Sequence, residues 1–138
     1  MAFYPYLFFG RNCREAFTRY QEVFGGELNL ITAADMPEGE GMPGASPDLI
    51  MHAALMVDGQ LLMGSDDPTP DFGPVQGMRV NADLPGVDEA KRVFELLAEG
   101  GTVNAPFGPT SWAAGFGMCT DRFGTPWMIS TNEAAAST

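Results

Sequence analysis

The side chains able to carry out chemistry are few, and their types narrow the possible reactions. The chain of 138 residues contains one histidine, His52, and two cysteines, Cys13 and Cys119. An imidazole titrates near neutrality, so His52 could act as a general base or contact a ligand. It could equally be a strand-end imidazole satisfied by a hydrogen bond. One copy of the chain cannot build a metal site that needs two or three histidines.

The other reactive groups give weaker signals. Cys13 falls near a predicted helix start, where the pKa of a thiol can be lowered, but a small buried hydrophobe is the simpler interpretation. Two cysteines so far apart make a poor disulfide framework. Asp66, Asp67 and the acidic stretch 35–48 lack the spacing of a calcium loop, so we interpret them as solvated charge. No phosphate-binding loop, zinc-protease motif, nucleophile elbow or glycine-rich nucleotide loop is present.

The charge balance excludes several partners. Eighteen acidic residues stand against seven basic ones, which gives a formal net charge of −11. Such a field repels phosphate backbones and anionic lipid, so we expect neither nucleic-acid nor membrane binding. No apolar run approaches the ~20 residues of a membrane span. The N-terminal stretch has no basic region before its apolar residues, so we expect a cytoplasmic protein.

The first half of the chain predicts a strand, a helix and then three strands. An aromatic strand over 3–9 precedes a helix that Asn12 could cap, with Glu15 completing a capping box. Gly25-Gly26 ends that helix, and a strand follows over 27–33. After a loop over 35–48, strands over 49–57 and 60–65 are joined by Asp58-Gly59, a strong hairpin signal.

The second half repeats this order after a loop over 66–75. Strands are predicted over 77–82, 102–105, 112–119 and 126–131, with a helix over 87–99 that Gly100-Gly101 ends. We therefore predict an α+β fold of two βαβββ modules, about 1–66 and 76–132. They form one domain over 1–133, and 134–138 is a disordered tail. Combined sheets with helices outside would enclose a partly apolar cavity, a normal place for a small ligand.

Three segments resemble a known family when taken together. They are NCREAFTRYQEVFGGEL, IMHAALMVDGQLLMGSD, and EGGTV followed by SWAAGFGMCTDRFGTPWMIS. They resemble the PhnB-like branch of the vicinal-oxygen-chelate superfamily, which includes glyoxalase I, extradiol dioxygenases, and bleomycin and fosfomycin resistance proteins. The resemblance covers about 5–131. It implies a glyoxalase-like fold in which paired modules form an incomplete β-barrel, a U-shaped cavity, and a homodimer.

The resemblance also supplies a test for metal binding. In metal-dependent members such as glyoxalase I, four His, Glu or Gln ligands come from the first strand and the hairpin's second strand of each module. Carried over, these positions fall on Pro5, Met63, Met78 and Met128. Proline has no side-chain donor, and a thioether is a poor ligand for the divalent metals concerned. We therefore expect no metal and no cofactor.

The remaining residues each have two interpretations. Trp127 is predicted to pack in the core, whereas Trp112, at the start of a strand, could close a pocket mouth. Arg122 could form a turn salt bridge with Asp121 or face an anionic substrate. We interpret Arg79 as structural or as an interface contact. The candidate cavity residues are Tyr6, Phe8, His52, Met63, Ser65, Met78, Trp112, Arg122 and Met128.

Three functions remain open. The first is a metal-independent protein that binds a small molecule of unknown identity, as a homodimer. The second is a divalent-metal-dependent lyase, isomerase or dioxygenase with His52 and acidic side chains in a displaced site. The third is an interaction module whose cavity is filled by its own side chains. The sequence names no substrate and leaves open whether any turnover occurs.

Overall fold

Two compact units divide the chain, as the repeat in the sequence predicts. The computed structural model describes residues 1–37, 46–67 and 73–133, and the units are 1–73 and 74–138. We call them module 1 and module 2. Parts of the predicted loops 35–48 and 66–75, and the predicted tail 134–138, lie outside the described residues. No helix among the described residues has the length and apolar character needed to cross a bilayer.

Module 1 is a four-stranded sheet with one long helix. Its elements are β1 (Tyr6–Phe9), α1 (Cys13–Phe24), β2 (Glu27–Thr32), a short 3₁₀ helix (Ala33–Asp35), β3 (Ile50–Val57) and β4 (Gln60–Asp66). The strand order is β1-β4-β3-β2. Strands β1 and β4 are parallel, and the other pairs are antiparallel. This is the predicted βαβββ order.

Module 2 repeats the same topology. Its elements are β5 (Val80–Leu84), α2 (Val87–Ala98), β6 (Thr102–Gly108), β7 (Phe116–Thr120) and β8 (Pro126–Thr131). The strand order is β5-β8-β7-β6, with β5 and β8 parallel. The prediction of an α+β fold built from two βαβββ modules is confirmed.

Each helix covers one face of its own sheet, and that face is the core. The buried residues of α1 recur at helical spacing, as do those of α2: Cys13, Ala16, Phe17, Tyr20, Val23; Ala90, Val93, Phe94, Leu97. Beneath them lie alternate strand residues such as Phe9, Leu55 and Ile129. Trp127 is 1% exposed, which confirms its predicted core role. The helix-covered face therefore stabilises each module, and the other face is available for function.

The hairpin of module 1 forms where Asp58-Gly59 predicts it. Asp58 has φ 51° and Gly59 has φ 77°, and Val57 pairs with Gln60 across the turn. Both turn residues must adopt positive φ, which Asp tolerates and Gly adopts freely. The turn fixes the register of β3 against β4, and through it the positions of the side chains on both faces.

Several predicted boundaries are wrong, each for a local reason. Strand β1 begins at Tyr6 rather than residue 3, after Pro5, which has no N–H to donate. Strand β5 begins at Val80, so Met78 precedes the strand. Strand β7 begins at Phe116 rather than Trp112, because a turn precedes it. In this turn the Thr110 hydroxyl accepts hydrogen bonds from the Trp112 and Ala113 N–H groups.

The predicted Asn12 capping box is also wrong, and a distant carboxylate replaces it. Asn12 makes no side-chain capping bond. Instead, Asp66 at the end of β4 accepts from the Cys13 N–H at 2.9 Å and the Ile50 N–H at 3.0 Å. A carboxylate at a helix N-terminus satisfies a free donor and interacts favourably with the helix dipole. Asp66 therefore ties α1 to the sheet.

Candidate functional site

The face of the module 1 sheet that turns away from α1 brings five of the predicted site residues together. Successive strand residues alternate between faces, so the pairing register assigns each residue to one face. Tyr6 pairs with Met63, Phe8 with Ser65, and Ala54 with both Met63 and Asn29. We call this surface the module 1 open face; it comprises Tyr6, Phe8, Glu27, Asn29, Ile31, His52, Ala54, Met56, Leu61, Met63 and Ser65.

A hydrogen-bonded pair lies on this face. The Tyr6 hydroxyl is 3.1 Å from Nδ1 of His52, although 46 residues separate the two in sequence. In a neutral ring, either the hydroxyl donates to Nδ1 and the ring proton lies on Nε2, or Nδ1–H donates to the hydroxyl oxygen. His52 therefore combines the two features considered for it from the sequence: its imidazole has a hydrogen-bond partner, and it lies on the module 1 open face.

Aromatic rings continue this pair along the face. The ring centroids of Tyr6 and Phe8 lie 5.2 Å apart, and those of Tyr6 and His52 lie 5.7 Å apart. Phe8 is 50% exposed and Tyr6 is 37% exposed. Exposed aromatic side chains at this separation form a surface that another ring can contact. We call Phe8, Tyr6 and His52 the aromatic row.

Gly64 permits the strand pairing that positions the row. It lies in β4 opposite Leu7 and faces α1. A Cβ at this position would lie 2.7 Å from the Leu7 carbonyl oxygen and 2.7 Å from a ring carbon of Phe17. The close approach of α1, β1 and β4 therefore requires glycine, and this packing holds Tyr6 and Met63 side by side.

The corresponding face of module 2 mixes polar side chains with a few apolar ones and, among the described residues, lacks an aromatic row. The pairs Asn81–Met128, Asp83–Ser130 and Met118–Met128 assign residues to it in the same way. We call it the module 2 open face; it comprises Asn81, Asp83, Thr102, Phe116, Met118, Thr120, Met128 and Ser130. Of the predicted site residues, this face carries Met128.

Arg79 is anchored in module 2 by hydrogen bonds to three strands. Its Nη1 lies 3.1 Å from Asn104 Oδ1 and 3.2 Å from the carbonyl oxygens of both Cys119 and Trp127. The Thr120 hydroxyl donates to the same Asn104 oxygen at 3.0 Å. Arg79 therefore joins β6, β7 and β8, which agrees with its predicted structural role.

Three predicted site residues lie elsewhere in module 2. Met78 precedes β5 and is 57% exposed, and Trp112 is 66% exposed in the β6–β7 connection, edge-on to Phe116 at 5.5 Å. Arg122 lies in the β7–β8 turn, with its guanidinium 4.8 Å from the Phe123 ring centre, and its stem passes close to Gly100 beyond α2. Arg122 is thus placed at the helix side of its sheet rather than on the open face.

Asp121 makes contacts other than the turn salt bridge that the sequence suggests. Its carboxylate accepts from the N–H groups of Phe123 at 2.9 Å and Thr125 at 3.0 Å, and from the Trp127 indole N–H at 2.8 Å. Asp121 is 5% exposed. The carboxylate therefore organises the β7–β8 turn and fixes the core tryptophan.

Both cysteines are buried in environments that disfavour the thiolate. Burial, with a smaller contribution from the Asp66 charge, raises the pKa of the Cys13 thiol to about 12. Burial, with Asp121 nearby, raises the pKa of the Cys119 thiol to about 11. Both thiols are free and buried. Cys13 is fully buried, which confirms its interpretation as a small buried hydrophobe, and a raised pKa leaves little of the reactive thiolate.

The donors at the superfamily's metal positions do not fit a divalent metal. At and beside the carried positions, Tyr6 pairs with Met63 and Asn81 pairs with Met128. A phenol, an amide and two thioethers replace the imidazoles and carboxylates that such metals prefer. Within 1–37, 46–67 and 73–133, no three His, Cys, Asp or Glu side chains converge into a metal-binding group.

Sequence reasoning missed three contacts. It singled out Tyr6 and His52 separately but did not pair them, and it did not anticipate Asp66 at the start of α1. It also missed Asn104 as the partner of Arg79 and Thr120. The available signal for Asp66 was an acidic residue ending an apolar strand, and the signal for Asn104 was an amide within a strand.

The fold is that of the glyoxalase-like proteins. A PhnB protein from Bacillus cereus, described as a putative 3-demethylubiquinone-9 3-methyltransferase, superposes with a TM-score of 0.76 at 23% identity, over 95% of this chain and 99% of that chain. A glyoxalase/bleomycin resistance protein/dioxygenase family enzyme from Burkholderia phytofirmans superposes with a TM-score of 0.61 at 15% identity, over 93% and 95%. These likenesses establish the architecture.

The sequence match is more specific. The model of the 3-demethylubiquinone-9 3-methyltransferase family matches residues 1–130, and the chain belongs to that family. Protein YjdN of Escherichia coli is 37% identical over 134 residues, 91% of each chain. Protein PA1353 of Pseudomonas aeruginosa is 42% identical with a TM-score of 0.82, over 96% of this chain and 98% of that chain. The resemblance to the PhnB-like branch is therefore confirmed.

Proposed function

We propose that the protein binds a small organic molecule without the help of a metal ion, and that the module 1 open face recognises it. The observation that carries this proposal is the Tyr6–His52 hydrogen bond within an exposed aromatic row. Apolar and aromatic surface with a few well-placed polar groups is typical of small-molecule sites. The thioethers of Met63 and Met128, where related proteins place metal ligands, support recognition by shape and hydrophobic contact.

The proposal includes a homodimer, which the family resemblance implies. Light scattering at micromolar concentration should give a mass near 30 kDa, about twice the 14.8 kDa of the chain. A mass equal to one chain at this concentration would contradict this part of the proposal and leave the binding face untouched.

A thermal-shift screen tests the binding proposal. A compound that binds the native state at 100 times its Kd should stabilise the protein by about 2.7 kcal/mol, because binding shifts the folding equilibrium by mass action. The screen is run on protein treated with EDTA and on untreated protein, with metal content measured in both. We expect the same hits in both samples.

A double variant links the hits to the face. Tyr6→Ala with His52→Ala should abolish the shift, whereas Val103→Ala, an exposed substitution in module 2, should retain it. Stoichiometric zinc, nickel, iron or manganese, together with hits that vanish after EDTA treatment, would instead establish a metal-dependent protein and overturn the proposal.

A further inference from the structure

The aromatic row offers ring surface on a single face. Phe8 and Tyr6 are tilted by 42° at 5.2 Å, and Tyr6 and His52 by 32° at 5.7 Å. These rings are neither buried in the core nor paired in an edge-on arrangement, unlike Phe9 and Phe17 of the core, which meet at 82°. A flat conjugated molecule gains more from such a surface than a saturated one of equal size, because offset ring stacking adds to area burial.

The imidazole of His52 adds a directed donor at one end of the row. When the Tyr6 hydroxyl donates to Nδ1, the proton of the neutral ring lies on Nε2. Within 1–37, 46–67 and 73–133, Tyr6 is the hydrogen-bond partner of the His52 imidazole, and in this tautomer Nε2–H is left to donate to solvent or to a ligand oxygen. A carbonyl oxygen is the natural acceptor for such a donor.

The charges on the face select against an anion. Among the residues of the module 1 open face there is no lysine or arginine, and Glu27 is its carboxylate. The whole chain carries a net charge of −11. A ligand carboxylate or phosphate would approach without a compensating cation, so its desolvation would not be offset.

From these observations we infer that the module 1 open face is selective for a neutral, planar aromatic compound bearing a carbonyl oxygen. The ligand ring lies against Phe8 and Tyr6, and its carbonyl oxygen accepts from Nε2–H of His52. This inference rests on the proposed function and adds the chemical class of the ligand to it.

The single histidine makes a direct test possible. Protein labelled with ¹⁵N at histidine contains one imidazole, so its two nitrogen resonances report on His52 alone. The free protein should show the tautomer with the proton on Nε2. Addition of 2-naphthamide should shift the Nε2 resonance strongly and the Nδ1 resonance little, because Tyr6 continues to occupy Nδ1.

Ligand analogues and variants measure each contribution. Compared with 2-naphthamide, the anionic 2-naphthoate and the saturated decahydro-2-naphthamide should each bind about tenfold more weakly. His52→Phe, which keeps a flat ring and removes the donor, should raise the Kd about tenfold. Phe8→Leu should raise it about fivefold and Tyr6→Phe about threefold, because the latter removes the tautomer restraint.

Matched controls and distinct outcomes keep the two proposals separable. Tyr4→Phe and Phe3→Leu remove an exposed hydroxyl and an exposed ring outside β1, and should leave the Kd unchanged. If 2-naphthoate or the saturated amide binds as well as 2-naphthamide, or if binding leaves the His52 resonances unmoved, this inference is overturned while the proposed function stands. If neither these compounds nor the thermal-shift screen gives a hit, both proposals fail.

Discussion

The two modules have the same topology and the same mode of core packing, yet their open faces differ in chemistry. Module 1 presents Phe8, Tyr6 and His52 as an aromatic row. At the corresponding positions of β5, module 2 presents Asn81 and Asp83, and the Ser130 hydroxyl donates to Oδ1 of Asn81 at 3.4 Å. The shared topology therefore goes with the apolar, helix-covered faces, which are alike in both modules. The open faces can differ in chemistry without changing that topology.

The thioethers are the exception to this divergence. Met63 and Met128 occupy comparable positions, each near the beginning of a parallel strand pairing. Both lie where the resemblance places metal ligands. Both modules therefore place a thioether at a carried ligand position, whereas the aromatic row is present in module 1. We expect recognition to depend on module 1 more than on module 2.

Substitutions in the two hairpin turns should differ most between the modules in how much they lower the free energy of unfolding. Asp121→Ala leaves two backbone N–H groups and the Trp127 indole N–H without their carboxylate, and should lower the free energy of unfolding by about 3 kcal/mol. Asp58→Ala, at a turn position with φ 51°, should cost about 1 kcal/mol, since alanine tolerates that conformation poorly. Urea denaturation monitored by Trp fluorescence measures both. Equal costs would show that the two turns contribute alike.

Removing the carboxylates that accept from the N-termini of α1 and α2 should give a smaller difference in the free energy of unfolding. Asp66→Ala removes a buried acceptor of two backbone N–H groups and should cost about 2 kcal/mol. In module 2 the exposed Glu133 accepts from the Val87 N–H at the start of α2, at 3.1 Å. Glu133→Ala should cost about 0.5 kcal/mol, because solvent replaces an exposed partner. Chemical denaturation at neutral pH distinguishes these values, and a larger loss for Glu133→Ala would contradict the comparison.

The two buried thiols should make the smallest contributions to stability, and their contributions should be similar in the two modules. Because the pKa of each thiol is raised in the folded protein, the unfolded chain loses these protons first as pH rises. Stability from this source is present below pH ~9 and is lost from there towards pH 11 for Cys119 and pH 12 for Cys13. The denaturation midpoint should fall over this range, and should fall less in a Cys13→Ala, Cys119→Ala double variant.

A chemical probe gives an independent check on the thiols. At pH 8 a thiol-specific reagent should label neither cysteine in the folded protein and both in denaturant, because burial excludes the reagent and disfavours the thiolate. Rapid labelling of one native thiol would show that its module opens locally.

Much of the fold was predictable from local signals. Helical spacing of apolar residues located α1 and α2, and Asp58-Gly59 located the first hairpin. The errors occurred where a contact that the residue pattern does not reveal overrode the local signal, from a distant residue in one case and from a neighbouring turn in the other. Asn12 has the residue type of a cap, but Asp66 satisfies the helix instead. Trp112 looks like the start of an apolar strand, but the Thr110 turn delays that strand to Phe116.

The candidate site was predictable in part. Five of the nine candidate residues share the module 1 open face because alternation along β1, β3 and β4 is a local property. Arg122 could not be placed, because its position in the β7–β8 turn depends on how Asp121 shapes that turn. The pairing of Tyr6 with Met63 could not be predicted either, because it depends on the register of two strands far apart in sequence.

The sequence by itself determined the order of elements, the two apolar helix faces, the family, and the absence of imidazole and carboxylate donors at the carried positions. Each of these depends on residue type or on spacings within a few residues. The tertiary structure decided that the Tyr6 hydroxyl meets His52, that Asp66 holds α1, and that Arg79 joins three strands. These contacts form between residues far apart in the chain. Their geometry depends on strand register and helix packing, which no local pattern specifies.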